Sequence, residues 1–149
     1  RPMSSVEVLR VPERITAVVR SKTDFANLAK TIGQSIDKVY AFLPSVEAKP
    51  WGHNIVLYRD GVMNVEVGVE VARRFEGGGE GGCSVLPAGE GARTGHVGPY
   101  FEMRKGYERL EAWLAANRPA ARGPRWEVYG DWTDDMEKLE TEIYAWLGP

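Results

Sequence analysis

The chain has 149 residues, the commonest size for one domain, and a chain of this length buries roughly 68–70% of its unfolded surface on folding, so one core forms without staples. Cys83 is the single cysteine, which excludes an internal disulfide framework, and neither a charged leader nor an apolar run of about 18 residues is present. Lys and Arg number 19 against 21 Asp and Glu, a net charge of -2 with the basic residues scattered, so a soluble cytoplasmic protein with no membrane or direct nucleic-acid partner is expected.

Val6–Leu9 and Ile15–Val19 are short, β-branched runs separated by Pro12, and they read as one bent or broken strand. Thr23 or Asp24 can cap a helix in which Phe25, Leu28, Ile32, Ile36, Val39 and Leu43 recur at three- and four-residue spacing up to Pro44. After a loop with Trp51 and Gly52, Asn54–Tyr58 reads as a strand, Asp60–Gly61 as a tight turn, and Met63–Val71 as a strand with one apolar and one polar face. Glu76–Gly82 (EGGGEGG) has no side chains for a core and reads as a linker; no helix start or Lys with Ser/Thr follows to make it a phosphate loop. Cys83–Leu86 and Ala92–Val97 resume strand character. Gly98–Pro99 then opens a second helix carrying Tyr100, Met103, Tyr107, Leu110 and Leu114. Met103, Tyr107 and Trp113 are assigned to the core of that helix, Trp126–Tyr129 to a strand, and Leu139–Leu147 to the last strand. Arg1–Pro2, ahead of Met3, reads as a remnant outside the pattern.

The second half can be laid on the first. NIVLYRD (Asn54–Asp60) aligns with PRWEVYGD (Pro124–Asp131), pairing Tyr58 with Tyr129 and Asp60 with Asp131. MNVEVGVEV (Met63–Val71) aligns with LETEIYAWL (Leu139–Leu147), placing Glu66 on Glu142. The expected class is α+β: two tandem βαββ units with pseudo-twofold symmetry, helices on one face of antiparallel sheet, and a ligand cleft between the repeats. One domain, 1–149, would hold repeat one at about 5–75, the linker at 76–82 and repeat two at about 83–149. Symmetry breaks where Val56 corresponds to Glu127, on the strand face that also carries the matched Tyr. A buried carboxylate is costly unless compensated, so Glu127 is either a functional group or a solvated strand residue. Five Trp and six Tyr suit either an aromatic-rich core or a binding surface.

HVGPY, the Tyr-, Leu- and Trp-bearing helix after it, WEVY, and TEI before the last strand, in that order, resemble the GyrI-like small-molecule-binding domain, with VLYRDG and VEVGVEV supplying the first half. This module occurs behind MerR- and AraC-type DNA-binding domains and also alone. With no helix-turn-helix or dimerising coiled coil ahead of it, the stand-alone form is expected. The resemblance implies an aromatic pocket for a planar, lipophilic, often cationic ligand with a buried Glu supplying negative charge. Glu127 matches the acidic position, and Trp126, Tyr129 and Tyr100 fall in the matching motifs. Trp51, Tyr144 and Trp146 join them from strand phase and aromatic type, and Tyr58 as the repeat mate of Tyr129. A small-molecule binding protein of multidrug type is therefore the first expected function. A hydrolase opening the cyclopropane ring of DNA-alkylating natural products is the second, with Glu127 as general base and Tyr100 or Tyr129 as hydrogen-bond donor to a carbonyl oxygen. An inhibitor of DNA gyrase is the third, from what founding members of the family do. No cofactor or metal is expected: His53 and His96 are far apart without Cys or Asp at ligand spacing, and Cys83 has no evident His partner. Glu66 and Glu142 are assigned structural roles first, and the oligomeric state is left open, a homodimer included.

Overall fold

The α+β expectation holds in the computed structural model, which describes residues 4–61, 63–77 and 79–149. The Arg1–Pro2 remnant and Gly78 of the glycine-rich stretch lie outside the described residues. Among the described residues the strands are β1 (Glu7–Val11), β2 (Arg14–Lys22), β3 (Trp51–Tyr58), β4 (Asn64–Val71), β5 (Gly82–Leu86), β6 (Gly89–Val97), β7 (Arg125–Tyr129) and β8 (Glu140–Gly148). Helix α1 (Leu28–Phe42) lies between β2 and β3, and α2 (Arg104–Asn117) between β6 and β7. No helix among these residues is long and apolar enough to cross a membrane.

The chain divides into two compact units: an N-terminal unit, Glu13–Pro87, and a C-terminal unit made of Arg1–Pro12 and Ala88–Pro149. In the N-terminal unit the antiparallel order is β3-β4-β2-β5, and in the C-terminal unit it is β7-β8-β6-β1. Val39 of α1 and Leu43, which opens the 3₁₀ turn directly after it, pack on Ala17, Val19, Val69 and Val71. Leu110 and Leu114 of α2 pack on Ala92, Ile143 and Ala145. The two registers repeat one another: Tyr58 faces Val65 and Val56 faces Val67, as Tyr129 faces Thr141 and Glu127 faces Ile143. These are the pairs that the two sequence alignments demand.

Several expectations are corrected by the pairing. The runs around Pro12 are not one bent strand, because β1 pairs with β6 of the C-terminal unit whereas β2 pairs with β4 and β5 of the N-terminal unit. Each unit thus takes its outer strand from the chain segment preceding the other unit's first repeat strand. The glycine-rich stretch runs from β4 to β5 inside the N-terminal unit, where Gly81 lies so close to the Phe42 ring that a Cβ would approach it to 2.1 Å. Helix α1 starts at Leu28 and not at Thr23 or Asp24. The Asp24 carboxylate instead accepts from the Asn27 backbone N–H at 3.0 Å in a turn that leaves Phe25 exposed. Tyr100 belongs to a separate 3₁₀ turn, Tyr100–Glu102, ahead of α2.

The face of β4 expected to be polar is covered as well. Gly68 is buried there, and a Cβ would sit 1.7 Å from the Ala17 carbonyl oxygen, so glycine is what lets β4 meet β2. On the same face Glu66 is buried among donors: Arg59 Nε at 2.8 Å, Arg20 Nε at 3.2 Å and the Ser84 hydroxyl at 2.5 Å. Burial alone would raise its pKa. The hydrogen bonds from Arg59 and Ser84, with the charges of Arg59 and Arg20, outweigh burial and hold it below the ordinary 4.5. A carboxyl lowered on folding adds stability that is complete above 4.5 and is lost as pH falls through the folded value. Glu66→Gln is therefore expected to be less stable than wild type at pH 7 by about 1–3 kcal/mol, with the gap closing at lower pH. Urea midpoints measured from pH 7 to pH 3 check this, and a gap independent of pH contradicts it.

Candidate functional site

Strand β7 sets the site through its alternation. Directly opposed residues share a sheet face, and Ile143 and Ala145, which pack against α2, oppose Glu127 and Arg125. Glu127 and Tyr129 therefore point to the α2 side, and Trp126 and Val128 point away. The Glu127 side chain is buried, with 4% of its surface exposed. Tyr107, one turn before Leu110 on α2, donates to Glu127 Oε2 at 2.5 Å, and the Tyr129 hydroxyl donates to Oε1 at 2.7 Å. Each carboxylate oxygen thus accepts a phenolic hydrogen bond. Hydrogen bonds to a charged group contribute about 1.5–3 kcal/mol each, which offsets much of the desolvation of a buried carboxylate.

The Tyr129 ring stacks on Tyr100 with centroids 5.2 Å apart and planes 21° from parallel. Tyr100 stays partly exposed, and its burial pushes the phenol above the ordinary 10.0, so the hydroxyl keeps its proton at neutral pH. Glu127, Tyr107, Tyr129 and Tyr100 together form a carboxylate walled by phenol rings. Such a group attracts cations through the carboxylate and through the ring faces.

The repeat shows what was exchanged to make it. Val39 and Leu43 fall on Leu110 and Leu114 by the same shift that carries Tyr58 to Tyr129, and the hydrogen bond from Tyr40 to Asn54 falls on that from Arg125 to Glu111. By that shift Tyr107 takes the place of Ile36, and Glu127 the place of Val56. An apolar helix–strand pair in one unit is a hydrogen-bonded polar pair in the other. Sequence reading assigns Tyr107 to the core, and its ring does pack against the cluster of Leu110, Leu114 and Ile143; the bond of its hydroxyl to Glu127 is what that reading lacks. Aligning α2 on α1 would have exposed it, because a carboxylate entering under a helix needs a donor from that helix.

The remaining expected site residues lie elsewhere. Trp126 and Tyr144 are buried on the sheet face away from α2 and stack on each other at 5.1 Å and 6°. Glu142, also on that face, accepts from the Tyr144 hydroxyl at 3.0 Å and meets Arg93 at 3.5 Å, and Arg93 also binds Glu7. Trp146, on the same face, donates to the Ala88 carbonyl at 3.1 Å. Trp51 and Tyr58 belong to the N-terminal unit: Trp51 meets Tyr40 edge-on at 6.2 Å with Lys49 over its ring, and Tyr58 is buried. The structure therefore brings Glu127, Tyr129 and Tyr100 together, adds Tyr107, and places Trp126, Tyr144 and Trp146 on the opposite face. A cavity of about 290 Å³ in the N-terminal unit is lined by Arg20, Lys22, Arg59 and Glu66 among others, and both arginines are held by Glu66.

Tyr107→Phe removes a hydrogen bond from a buried carboxylate oxygen and is expected to lower stability by about 1–3 kcal/mol. The double change Tyr107→Ile with Glu127→Val installs the apolar pair of the N-terminal unit and removes donor and acceptor together, so it should cost less than Tyr107→Phe alone. Chemical unfolding of both variants tests the assignment; a double variant less stable than the single one refutes it.

Three comparisons with known structures accord with the fold. The C-terminal domain of EcmrR is 26% identical, with 95% of each chain covered and a TM-score of 0.74. SAV2435, solved bound to tetraphenylphosphonium, is 12% identical, with 95% of this chain and 92% of that one covered and a TM-score of 0.69. A hydrolase encoded by lin2189 from Listeria innocua is 14% identical, with 97% and 92% covered and a TM-score of 0.63. The last two, at such identities, show likeness of fold alone. No curated protein matches the sequence. The GyrI-like family, described as a GyrI-like small molecule binding domain, matches residues 4–146, and this chain belongs to it.

Proposed function

We propose that the chain binds a flat, lipophilic, cationic small molecule through the C-terminal unit, with the Glu127 carboxylate as counter-charge and Tyr100, Tyr107 and Tyr129 as its aromatic surround. The observation that carries this reading is Glu127 itself: a carboxylate buried under α2, at a position where the matching unit has Val56, with a phenol on each oxygen. A fold that is complete with valine at this place has no structural need for the charge. A cation over an exposed ring face gains about 0.5–2 kcal/mol, and a nearby desolvated carboxylate adds to that for charged ligands and not for neutral ones. Tetraphenylphosphonium, bound by SAV2435, a protein of this fold, agrees in charge and in lipophilic aromatic character, although its phosphorus is tetrahedral and the molecule is not flat.

Binding is favoured over hydrolysis by the same hydrogen bonds. A general base needs a free oxygen within reach of water, whereas both oxygens of Glu127 accept from tyrosines. That arrangement suits a fixed charge better than a proton acceptor.

Titration with ethidium, a fluorescent planar cation, is expected to show binding that weakens at least tenfold in Glu127→Gln. Glutamine keeps one acceptor oxygen for one tyrosine, and its NH2 can donate to the phenol oxygen of the other, so weakened binding by a folded variant reports the charge. Equal affinity in wild type and variant would remove Glu127 from the ligand site.

A further inference from the structure

The alternation of β8 that turns Ile143 and Ala145 toward α2 turns Thr141 the same way. Thr141 is directly opposite Tyr129 on β7 and His96 on β6, and diagonal to Glu127, a spacing of about 7–8 Å between such positions. Its side chain is fully buried, and its hydroxyl has no hydrogen-bond partner among the described residues. The neighbours on that face have other engagements: the Tyr129 hydroxyl donates to Glu127, and His96 Nε2 is 2.9 Å from the Pro99 carbonyl. Buried hydroxyls normally find a partner, and an orphaned one is destabilising. At the matching position of the N-terminal unit stands Val65, equally buried and equally opposite a tyrosine, Tyr58. The backbone therefore accepts valine here without difficulty, as it does at the place of Glu127.

We propose that the Thr141 hydroxyl is a second polar contact of the Glu127 site, reading an oxygen-bearing group on the ligand. This rests on the binding role of Glu127 and narrows the ligand class. The ligand is a lipophilic cation that carries a hydroxyl, ether or carbonyl oxygen at one edge, about one aromatic ring away from its charge. The carboxylate selects for charge, and Thr141 distinguishes members of that class by what they offer beside it. A site built to hydrogen-bond a ligand oxygen disfavours the analogue that lacks it, since the protein group is then left buried and unpaired.

The test is isothermal titration of wild type, Thr141→Val and Glu127→Gln with tetraphenylphosphonium and with its ortho-, meta- and para-hydroxyphenyl congeners, alongside thermal unfolding of each protein. At least one congener should bind wild type about fivefold more tightly than the parent. Thr141→Val should erase that preference, leave the parent's affinity within about twofold, and unfold at or above the wild-type Tm, because an orphaned hydroxyl has been replaced by the methyl that the matching unit uses. A preference that survives in Thr141→Val, the lack of any preference in wild type, or a lower Tm in the variant would overturn the proposal. Glu127→Gln should weaken all four phosphoniums alike. Unchanged affinity there, or wild type that binds neither ethidium nor any phosphonium, would overturn the Glu127 reading beneath it, and wild type that binds ethidium but no phosphonium would overturn this inference alone. Binding that depends on Glu127 and shows no preference through Thr141 would overturn this inference alone.

Discussion

A carboxylate placed between a sheet and the helix that covers it has to be satisfied from both sides, and much of the C-terminal unit is arranged by that requirement. Helix α2 contributes the Tyr107 hydroxyl and β7 contributes that of Tyr129, two residues along the same strand face. Each donor in turn fixes something else. Tyr107 ties the first turn of α2 to β7, beside the apolar contacts of Leu110 and Leu114 and the hydrogen bonds of Arg109 to Thr94 and Gly95. Tyr129, held by its hydroxyl, presents its ring to Tyr100 and so anchors the 3₁₀ turn ahead of α2. One buried charge thereby orders a helix, a strand and the turn that leads into the helix.

The matching unit shows the same architecture without this demand. Its register, strand order and helix placement coincide with those of the C-terminal unit, yet Ile36, Val56 and Val65 stand where Tyr107, Glu127 and Thr141 stand. The apolar version is sufficient for folding. At these three positions it presents only apolar side chains. Polarity in the N-terminal unit lies on the other sheet face, where Glu66 is enclosed by Arg59, Arg20 and Ser84. There a carboxylate meets cations and is neutralised in place, the arrangement expected of a structural ion pair. The contrast between two buried glutamates, one held by arginines and one by phenols, is the ground on which a scaffold role is assigned to Glu66 and a recognition role proposed for Glu127.

Much of this was legible in the sequence because antiparallel hairpins leave a period-two signature that survives divergence. The alignments of Asn54–Asp60 on Pro124–Asp131 and of Met63–Val71 on Leu139–Leu147 reproduce the observed cross-strand pairs, and Glu127 was identifiable as the break in symmetry. Strand order was less accessible. Nothing local in Glu7–Val11 says that its partner is β6, some eighty positions away, and not the adjacent run beyond Pro12. The assignment of aromatic residues to faces failed for a different reason. Trp126 and Tyr144 were grouped with Glu127 by residue type and motif membership, although Trp126 is next to Glu127 in sequence and alternation must send the two side chains to opposite faces. Tyr107 was lost because helical periodicity reports only that a residue faces the sheet. It carries no information about which strand residue waits beneath.

The opposite face of the C-terminal unit clarifies why aromatic residues are so abundant here. Tyr144 occupies the position of Gly68, and Trp126 that of Ile55, so a glycine and an aliphatic side chain in one unit are replaced by two large rings stacked nearly parallel in the other. At Gly68 there is no room for even a Cβ beside the Ala17 carbonyl, whereas Tyr144 lies in register with Arg93, whose guanidinium stands over its ring. The Trp126–Tyr144 pair is buried, and Tyr144 is bonded to Glu142, which is the behaviour of rings that fill and fix a sheet face. Tyr100 and Tyr129, by contrast, retain exposed surface beside a buried carboxylate. Aromatic content alone therefore does not mark a binding site in this fold. The proposed binding role rests on the partly exposed rings that border Glu127, on the α2 side of β7, and not on the buried Trp126–Tyr144 pair.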